Sequence, residues 1–348
     1  MKNLLIKKIS IDSFKAFKDE ITLIFDKPIT IIYAQNGCGK TSIFEAIEWV
    51  LCEKEMNYDI LKNKYSNKNP SVTITFDSGN IIYKELDNTN SSQLKSNYNI
   101  NSKNKKINND EFNFKEPYTF ILYNKFVTES ELTNVSKLTN ILSRDNLSLL
   151  LNCNYIDKKI DLVERKYYKS NTENKEIIND LYYLKKLKNT YVNECINVLK
   201  EDICYLYNKM QSNAFLISDP ELLSIENRTY NNIPLSMVQN ISLNIAIFLS
   251  IARIFKGSYF LDQPVGLFDG LNRISFLDIL RAMILENNQQ DLRFTISTTS
   301  RILVRQVREK FSLIKNRNGD NIYRIYSLYG NSKIGVQAIE RDKYIMDM

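Results

Sequence analysis

The chain of 348 residues contains no histidine. That excludes imidazole as a general acid or base, Ser–His and Cys–His nucleophiles, and His-ligated metal centres. The five cysteines, Cys38, Cys52, Cys153, Cys195 and Cys204, are odd in number and form no C-x-x-C pair. Neither a disulfide framework nor a thiolate zinc site is indicated. Long apolar runs are lacking too: residues 241–255 form the longest, and Ser242, Asn244, Ser250 and Arg253 interrupt it, so it reads as too short to span a bilayer. At the start, Lys2, Lys7 and Lys8 are followed by alternating polar residues rather than an apolar leader. These absences predict a cytosolic (cytoplasmic) protein with no membrane partner.

Hydrophobic residues make up 43% of the sequence, enough to build the core of one large or two ordinary domains. The net charge of +7 favours a polyanionic partner without demanding one.

The densest signal is residues 29–51, ITIIYAQNGCGKTSIFEAIEWVL, which reads as a buried strand, a phosphate loop and an amphipathic helix. Within it AQNGCGKT has the spacing G-x-x-x-x-G-K-[ST], with Ala34 in place of the first glycine. Such a loop turns successive backbone N–H groups towards a polyphosphate, and Gly37 and Gly39 let the chain approach without a Cβ in the way. Ala34 suffices if its φ stays negative. Asn36, Gly37, Cys38, Gly39, Lys40, Thr41 and Ser42 are the candidate nucleotide-binding residues. Lys40 is placed on the β- and γ-phosphates, and Thr41 offers its hydroxyl to Mg²⁺ at the positive end of the following helix. The β-branched run before the loop, and Ile43, Ala46, Ile47, Val50 and Leu51 at helical spacing after it, make the match specific.

Elsewhere, residues 4–14 with 20–26, and 71–76 with 80–86, read as two hairpins, which predicts a mixed sheet around the phosphate-loop strand. Residues 87–116 are rich in Asn, Ser and Lys and are expected to be an exposed loop that carries Lys103, Lys105 and Lys106. Residues 118–123 read as a strand, after which 124–132 leave the sheet. Apolar residues three and four apart predict a helical hairpin, one arm near 155–168 and a longer one near 175–210, its reach about 45 Å at 1.5 Å per residue. Helices follow at 236–255, 271–286 and 301–311, with strands at 258–261, 294–297 and, last, 322–328.

Tyr259-Phe260-Leu261-Asp262 is an apolar run closing on an acid, which delivers one carboxylate to Mg²⁺ beside the phosphates. Gln263 follows where an acid would polarise the attacking water; a glutamine orients water but does not take its proton. Arg301, Arg305 and Arg308 share one helix face, readable either as a DNA-phosphate stripe or as a solvated or intersubunit salt-bridge face. Lys15 reads equally as a phosphate or DNA contact and as a solvated strand-edge lysine.

The series AQNGCGKT, then Leu235-Ser236-Met237-Val238-Gln239, then FLDQPVGLFDGLN resembles the ABC-type ATPases of the SMC/RecF group, with N-x-G-K-[ST], L-S-x-G-Q and L-D-E-P-x-x-x-L-D in that order. The resemblance covers about 1–55 and 233–310. It implies an α/β fold, a two-lobed ABC-type P-loop NTPase head with a mixed sheet: an N-terminal ATPase lobe at 1–145, a helical hairpin or short coiled-coil insertion at 146–224, and a C-terminal lobe at 225–348. It also implies a homodimer around two ATP molecules with Mg²⁺, the phosphate loop of one copy facing Ser236 and Gln239 of the other, with Asp269 in the D-loop. Thr41 and Asp262 would hold the metal, joined by Asn124 in the position of the Q-loop glutamine. Lys40, Asp262, Gln263 and Thr299 are the catalytic set. The resemblance further implies action on or sensing of double-stranded DNA, in repair or antiphage defence, beside an effector nuclease; no nuclease constellation is visible here.

Three positions depart from the pattern: Val238 for the signature glycine, Gln263 for the second acid, and Thr299 for the switch histidine. Binding positions are intact where catalytic ones are altered. That pattern predicts slow turnover or, as the alternative, a pseudo-ATPase scaffold that binds ATP without hydrolysis and holds a partner protein.

Overall fold

The computed structural model describes residues 5–51, 57–88, 92–100, 103–107, 126–127, 154–169, 175–211, 223–224, 229–230, 233–266, 268–286 and 291–341. The chain runs β1 (Ile6–Asp12), β2 (Ile21–Ile24), β3 (Ile29–Tyr33), α1 (Lys40–Leu51), α2 (Tyr58–Leu61), β4 (Ser71–Phe76), β5 (Ile81–Leu86), β6 (Ser92–Ile100), β7 (Lys103–Ile107) and β8 (Phe126–Val127). Next come α3 (Asn154–Lys169), α4 (Lys175–Met210), β9 (Leu223–Ser224), β10 (Thr229–Tyr230), β11 (Ile233–Pro234), α5 (Met237–Ile254) and β12 (Gly257–Asp262). The last are α6 (Gly270–Glu286), β13 (Leu292–Thr298), α7 (Arg301–Phe311), β14 (Tyr323–Asn331) and β15 (Gly335–Glu340).

Two six-stranded sheets organise these elements. In one the order is β15-β14-β3-β13-β12-β8, parallel except for β15. The other, β2-β1-β4-β5-β6-β7, is antiparallel throughout. The sheet holding the phosphate-loop strand is therefore mixed, as expected, but its antiparallel member is β15, and both N-terminal hairpins stand in the second sheet. A small three-stranded sheet joins β9, β10 and β11.

Burial explains the layering. Every residue of β12, and all but Tyr33 of β3, is buried, as a strand covered on both faces requires. Successive side chains part to opposite faces: Ile29 and Ile31 join one core with Tyr259, Leu261, Phe294 and Ile296, while Ile32 and Phe260 join the other. The second core lies between the two sheets around α1, whose Ile43, Ile47, Trp49, Val50 and Leu51 are buried. On the opposite face α5, α6 and α7 pack with the C-terminal half of α4, through Leu199, Ile203, Leu206, Tyr207 and Met210. Arg293 of β13 ties the sheets together, donating to Ile6 O at 2.9 Å and to Asp77 Oδ1 at 3.0 Å.

The helical hairpin has its arms at the expected positions, α3 of 16 residues and α4 of 36, but the longer one, at about 54 Å, exceeds the expected reach. Lys188–Asp157 and Lys185–Glu164 ion pairs, at 2.7 and 2.8 Å, join them. Three other expectations are corrected. Much of 87–116 is not loop: β6 and β7 extend the antiparallel sheet, so Lys103, Lys105 and Lys106 lie on its edge strand. Phe126–Val127 do not leave the sheet but pair with β12. The apolar run near 241–255 belongs to the 18-residue helix α5, long and apolar enough to cross a membrane by length and composition alone, yet buried here from Ile241 to Ala252 as a core helix. Residues 118–123 and Asn124 lie outside the described residues.

Candidate functional site

Strand β3 delivers the phosphate loop from the middle of the parallel array, between β14 and β13. Ala34 N donates to Thr298 O at 3.1 Å, adding one more rung before the chain turns. Ala34 is buried and is not among the residues with positive φ, so an L side chain is accommodated there. Gly37 and Gly39 have φ of +83° and +84°, where L residues are strained. The two differ in surroundings. A Cβ on Gly39 would meet Ala16 Cβ at 2.8 Å and the Phe17 ring at 3.0 Å, whereas nothing lies within 4 Å of one on Gly37. Gly39 thus seats the loop on residues 16 and 17, while at Gly37 the demand the chain itself makes for glycine is the positive φ. Asn36 is exposed, and Cys38, a free thiol, and Ser42 are half-buried.

Lys40, the first residue of α1, is only 5% exposed. Its Nζ donates to Ala34 O at 3.0 Å and to Gln35 O at 2.9 Å, folding the ammonium back under the loop. Burial lowers its pKa from the ordinary lysine value, and the nearby Asp262 carboxylate opposes that shift. Thr41, exposed at the mouth, donates from Oγ1 to Asp262 Oδ2 at 2.7 Å. Asp262 closes β12, where its register partner on β13 is Ser297. The buried Ser297 Oγ donates to Asp262 Oδ1. Gln263, with φ +53°, turns the chain out of the sheet; its N–H lies 3.1 Å from Ser297 Oγ and 3.3 Å from Ser297 O. Thr299 is exposed just beyond β13, and Ser300 caps α7 by accepting from Leu303 N at 3.2 Å.

Lys40, Thr41, Asp262 and Gln263 therefore share one end of the parallel sheet. Ser236, Gln239 and Asp269 do not join them: among the described residues no hydrogen bond links these three to Lys40, Thr41 or Asp262. Ser236 and Gln239 form a capping box on α5, with Ser236 N donating to Gln239 Oε1 at 2.7 Å and Gln239 N to Ser236 Oγ at 3.4 Å. Asp269 is exposed and accepts from Asn272 N at 2.8 Å in the first turn of α6. Val238 packs against the core.

Neither reading of the arginine stripe describes the whole of it. Arg305 pairs with Glu309 at 2.7 Å on the surface, Arg301 donates to the Tyr33 hydroxyl at 3.0 Å, and Arg308 is half-buried with Nη2 lacking a partner. Lys15 is not a solvated strand-edge residue but pairs with Glu45 of α1 at 2.6 Å. Sequence reasoning missed two supports of the site, the 16–17 seat under Gly39 and Ser297. For the second no signal was available, since Ser297 is one of three hydroxyl residues, with Thr295 and Thr298, in the same buried strand.

The donor set fits a magnesium-bound polyphosphate. Among the described residues no group of three or more His, Cys, Asp or Glu could hold a metal alone. Thr41 keeps lone pairs for a metal while its O–H points to Asp262, and Mg²⁺ is ordinarily held by one or two protein groups together with substrate phosphates. When bound, Mg²⁺ would neutralise charge on the terminal phosphates. Lys40 would exchange the Ala34 and Gln35 carbonyls for phosphate oxygens.

A phosphate loop on a central parallel strand, with a Thr–Asp pair reaching across to the next strand but one and an antiparallel sheet over the loop's helix, gives the fold of an ABC-type P-loop ATPase head of the SMC/RecF kind. The chain belongs to the AAA domain family AAA_23, whose model matches residues 8–212. It is 25% identical over 270 residues to the DNA double-strand break repair Rad50 ATPase of Methanococcus maripaludis, covering 70% of this chain and 27% of that protein. Chromosome partition Smc proteins match over shorter stretches, so the chain spans a small part of the length of its curated relatives, 4% for the first two. Among solved structures it is similar to the Pyrococcus furiosus Smc head domain with an extended coiled coil, bound there to the C-terminal domain of ScpA. The TM-score is 0.67 and the identity 15%, over 97% of this chain and 96% of that one. The recombination mediator protein RecF gives a TM-score of 0.53 at 14% identity, covering 98% of this chain and 99% of that one.

Proposed function

We propose that the chain is an ATP- and Mg²⁺-binding SMC/RecF-type head that closes into a homodimer around ATP and acts on or senses double-stranded DNA. Its lobes are 1–145 and 225–348, with 146–224 as the insertion. The observation that carries the nucleotide reading is the Thr41–Asp262 hydrogen bond of 2.7 Å beside the buried Lys40. Ser236 and Gln239 make no hydrogen bond to Lys40, Thr41 or Asp262 of their own copy, which fits a role on the nucleotide of a second copy; Asp269 is exposed. Work beside an effector nuclease, in repair or antiphage defence, is the biological setting in which such a head would serve.

The altered positions favour slow turnover. Gln263 orients water without accepting its proton, and Thr299 offers phosphate a hydroxyl in place of a charge. Steady-state phosphate release by the wild type, Lys40→Ala and Gln263→Glu tests this. Slow release that vanishes in Lys40→Ala and rises in Gln263→Glu is the expected result. Tight ATP binding with no release above the Lys40→Ala level would instead establish the pseudo-ATPase scaffold, the reading that Val238, Gln263 and Thr299 together support.

A further inference from the structure

We infer that Ser297 is a positioning residue that fixes the Asp262 carboxylate for Mg²⁺ and ties it to the backbone of Gln263.

The geometry rests on three facts. Ser297 and Asp262 are register partners on adjacent parallel strands, so their side chains stand side by side at the end of the sheet. Ser297 Oγ donates to Asp262 Oδ1, while Thr41 Oγ1 donates to Oδ2 at 2.7 Å. Each carboxylate oxygen thus has one hydroxyl donor, and two donors on different elements define the plane of the group. The same Ser297 Oγ lies 3.1 Å from Gln263 N, which donates to it. One hydroxyl therefore acts both ways, donating its proton to the metal-side carboxylate and accepting the N–H of the water-side residue.

The surroundings make this arrangement stiff. Ser297 is fully buried, so no solvent competes for its single proton, and Asp262 is 5% exposed. Gln263 sits at φ +53°, a conformation a non-glycine residue keeps only where its surroundings impose it, and Ser297 contributes both its hydroxyl and its carbonyl, the latter at 3.3 Å. Groups that orient a metal ligand without touching the metal typically change metal affinity about 10–100-fold when removed. A buried serine that merely filled space on β13 would have no such effect.

The inference rests on the nucleotide reading above, and its test separates the two. Binding of a fluorescent ATP analogue is titrated with Mg²⁺, and again in EDTA, for the wild type, Ser297→Ala, Ser297→Cys, Ser297→Thr and Thr41→Ala, with melting temperatures alongside. Ser297→Ala is expected to need about 10-fold more Mg²⁺ for half-maximal enhancement while its affinity in EDTA stays within about 2-fold of wild type. Ser297→Thr keeps the hydroxyl and restores the response, Ser297→Cys falls between, and Thr41→Ala loses it. A wild-type Mg²⁺ response in a folded Ser297→Ala, or an equal loss with and without Mg²⁺, overturns the assignment; if that variant does not fold, Ser297→Cys decides by the same criteria. A wild type whose nucleotide affinity ignores Mg²⁺ overturns the nucleotide reading together with this one.

Discussion

Thr41 and Asp262 are 221 residues apart in sequence and share a hydrogen bond of 2.7 Å. The contact exists because β3 and β12 flank β13 in one parallel sheet, so the ends of both strands reach the same edge. Everything proposed about nucleotide chemistry depends on that closure.

The two loop glycines should tolerate substitution unequally. Both would place an L residue at positive φ, at a cost of about 1–2 kcal/mol. Only at Gly39 does the new methyl run into Ala16 and Phe17. Gly39→Ala is therefore expected to lower the melting temperature clearly more than Gly37→Ala, measured by calorimetry without nucleotide. Equal losses would mean that the 16–17 seat yields freely.

Nucleotide binding should be linked to protons through Lys40. Burial lowers its pKa in the empty site, whereas polyphosphate oxygens favour the charged form. Between the lowered and the restored values, binding takes up a proton, so affinity falls as pH rises through that window. The unfolded chain keeps its proton up to the ordinary lysine value, so over the same window the empty folded protein gains stability with rising pH. Calorimetric titrations in two buffers of different ionisation enthalpy measure the uptake, and buffer-independent heats on the alkaline side would contradict it.

Ser236 has an observed role and a proposed one, and they are separable. As N-cap of α5 it contributes about 1 kcal/mol, which Ser236→Ala should remove. Its proposed second role is to meet the nucleotide of another copy. The variant is expected to bind ATP as the wild type does while losing ATP-dependent dimerisation, which sedimentation velocity detects. Dimers of undiminished strength would reduce Ser236 to a cap.

Arg293 joins the two sheets through Ile6 O and Asp77. Arg293→Met keeps the aliphatic stem and removes these bonds. A loss of about 1–2 kcal/mol in urea denaturation is expected, with ATP affinity unchanged in the folded protein. A drop in ATP affinity at full folding would show that the tie also shapes the site.

Much of this was legible in the sequence, for physical reasons particular to each element. The α3 and α4 bounds and the 301–311 helix follow from apolar spacing, and β3 and β12 from apolar runs that only a doubly covered strand sustains. Others left no pattern to read. In β15 Val336 is the one buried residue, so no alternation marks the strand. Segments β6 and β7 are polar yet extend the sheet through backbone pairing, β6 on β5 and β7 on β6, which composition does not reveal. Both hairpins were visible, but which sheet they join depends on β1 meeting β4 across the intervening α1. Site residues announced by spacing, Lys40 and Asp262, lie together. Ser297 was hidden because its importance comes from its neighbour on the next strand.

The most direct test of the central claim is the mass of the chain in solution, measured by sedimentation equilibrium with and without ATP and Mg²⁺, for the wild type and Lys40→Ala. The account predicts a wild-type dimer that forms only with ATP and Mg²⁺, and a Lys40→Ala variant that stays monomeric under both conditions. A wild type whose mass is the same with and without nucleotide would contradict it.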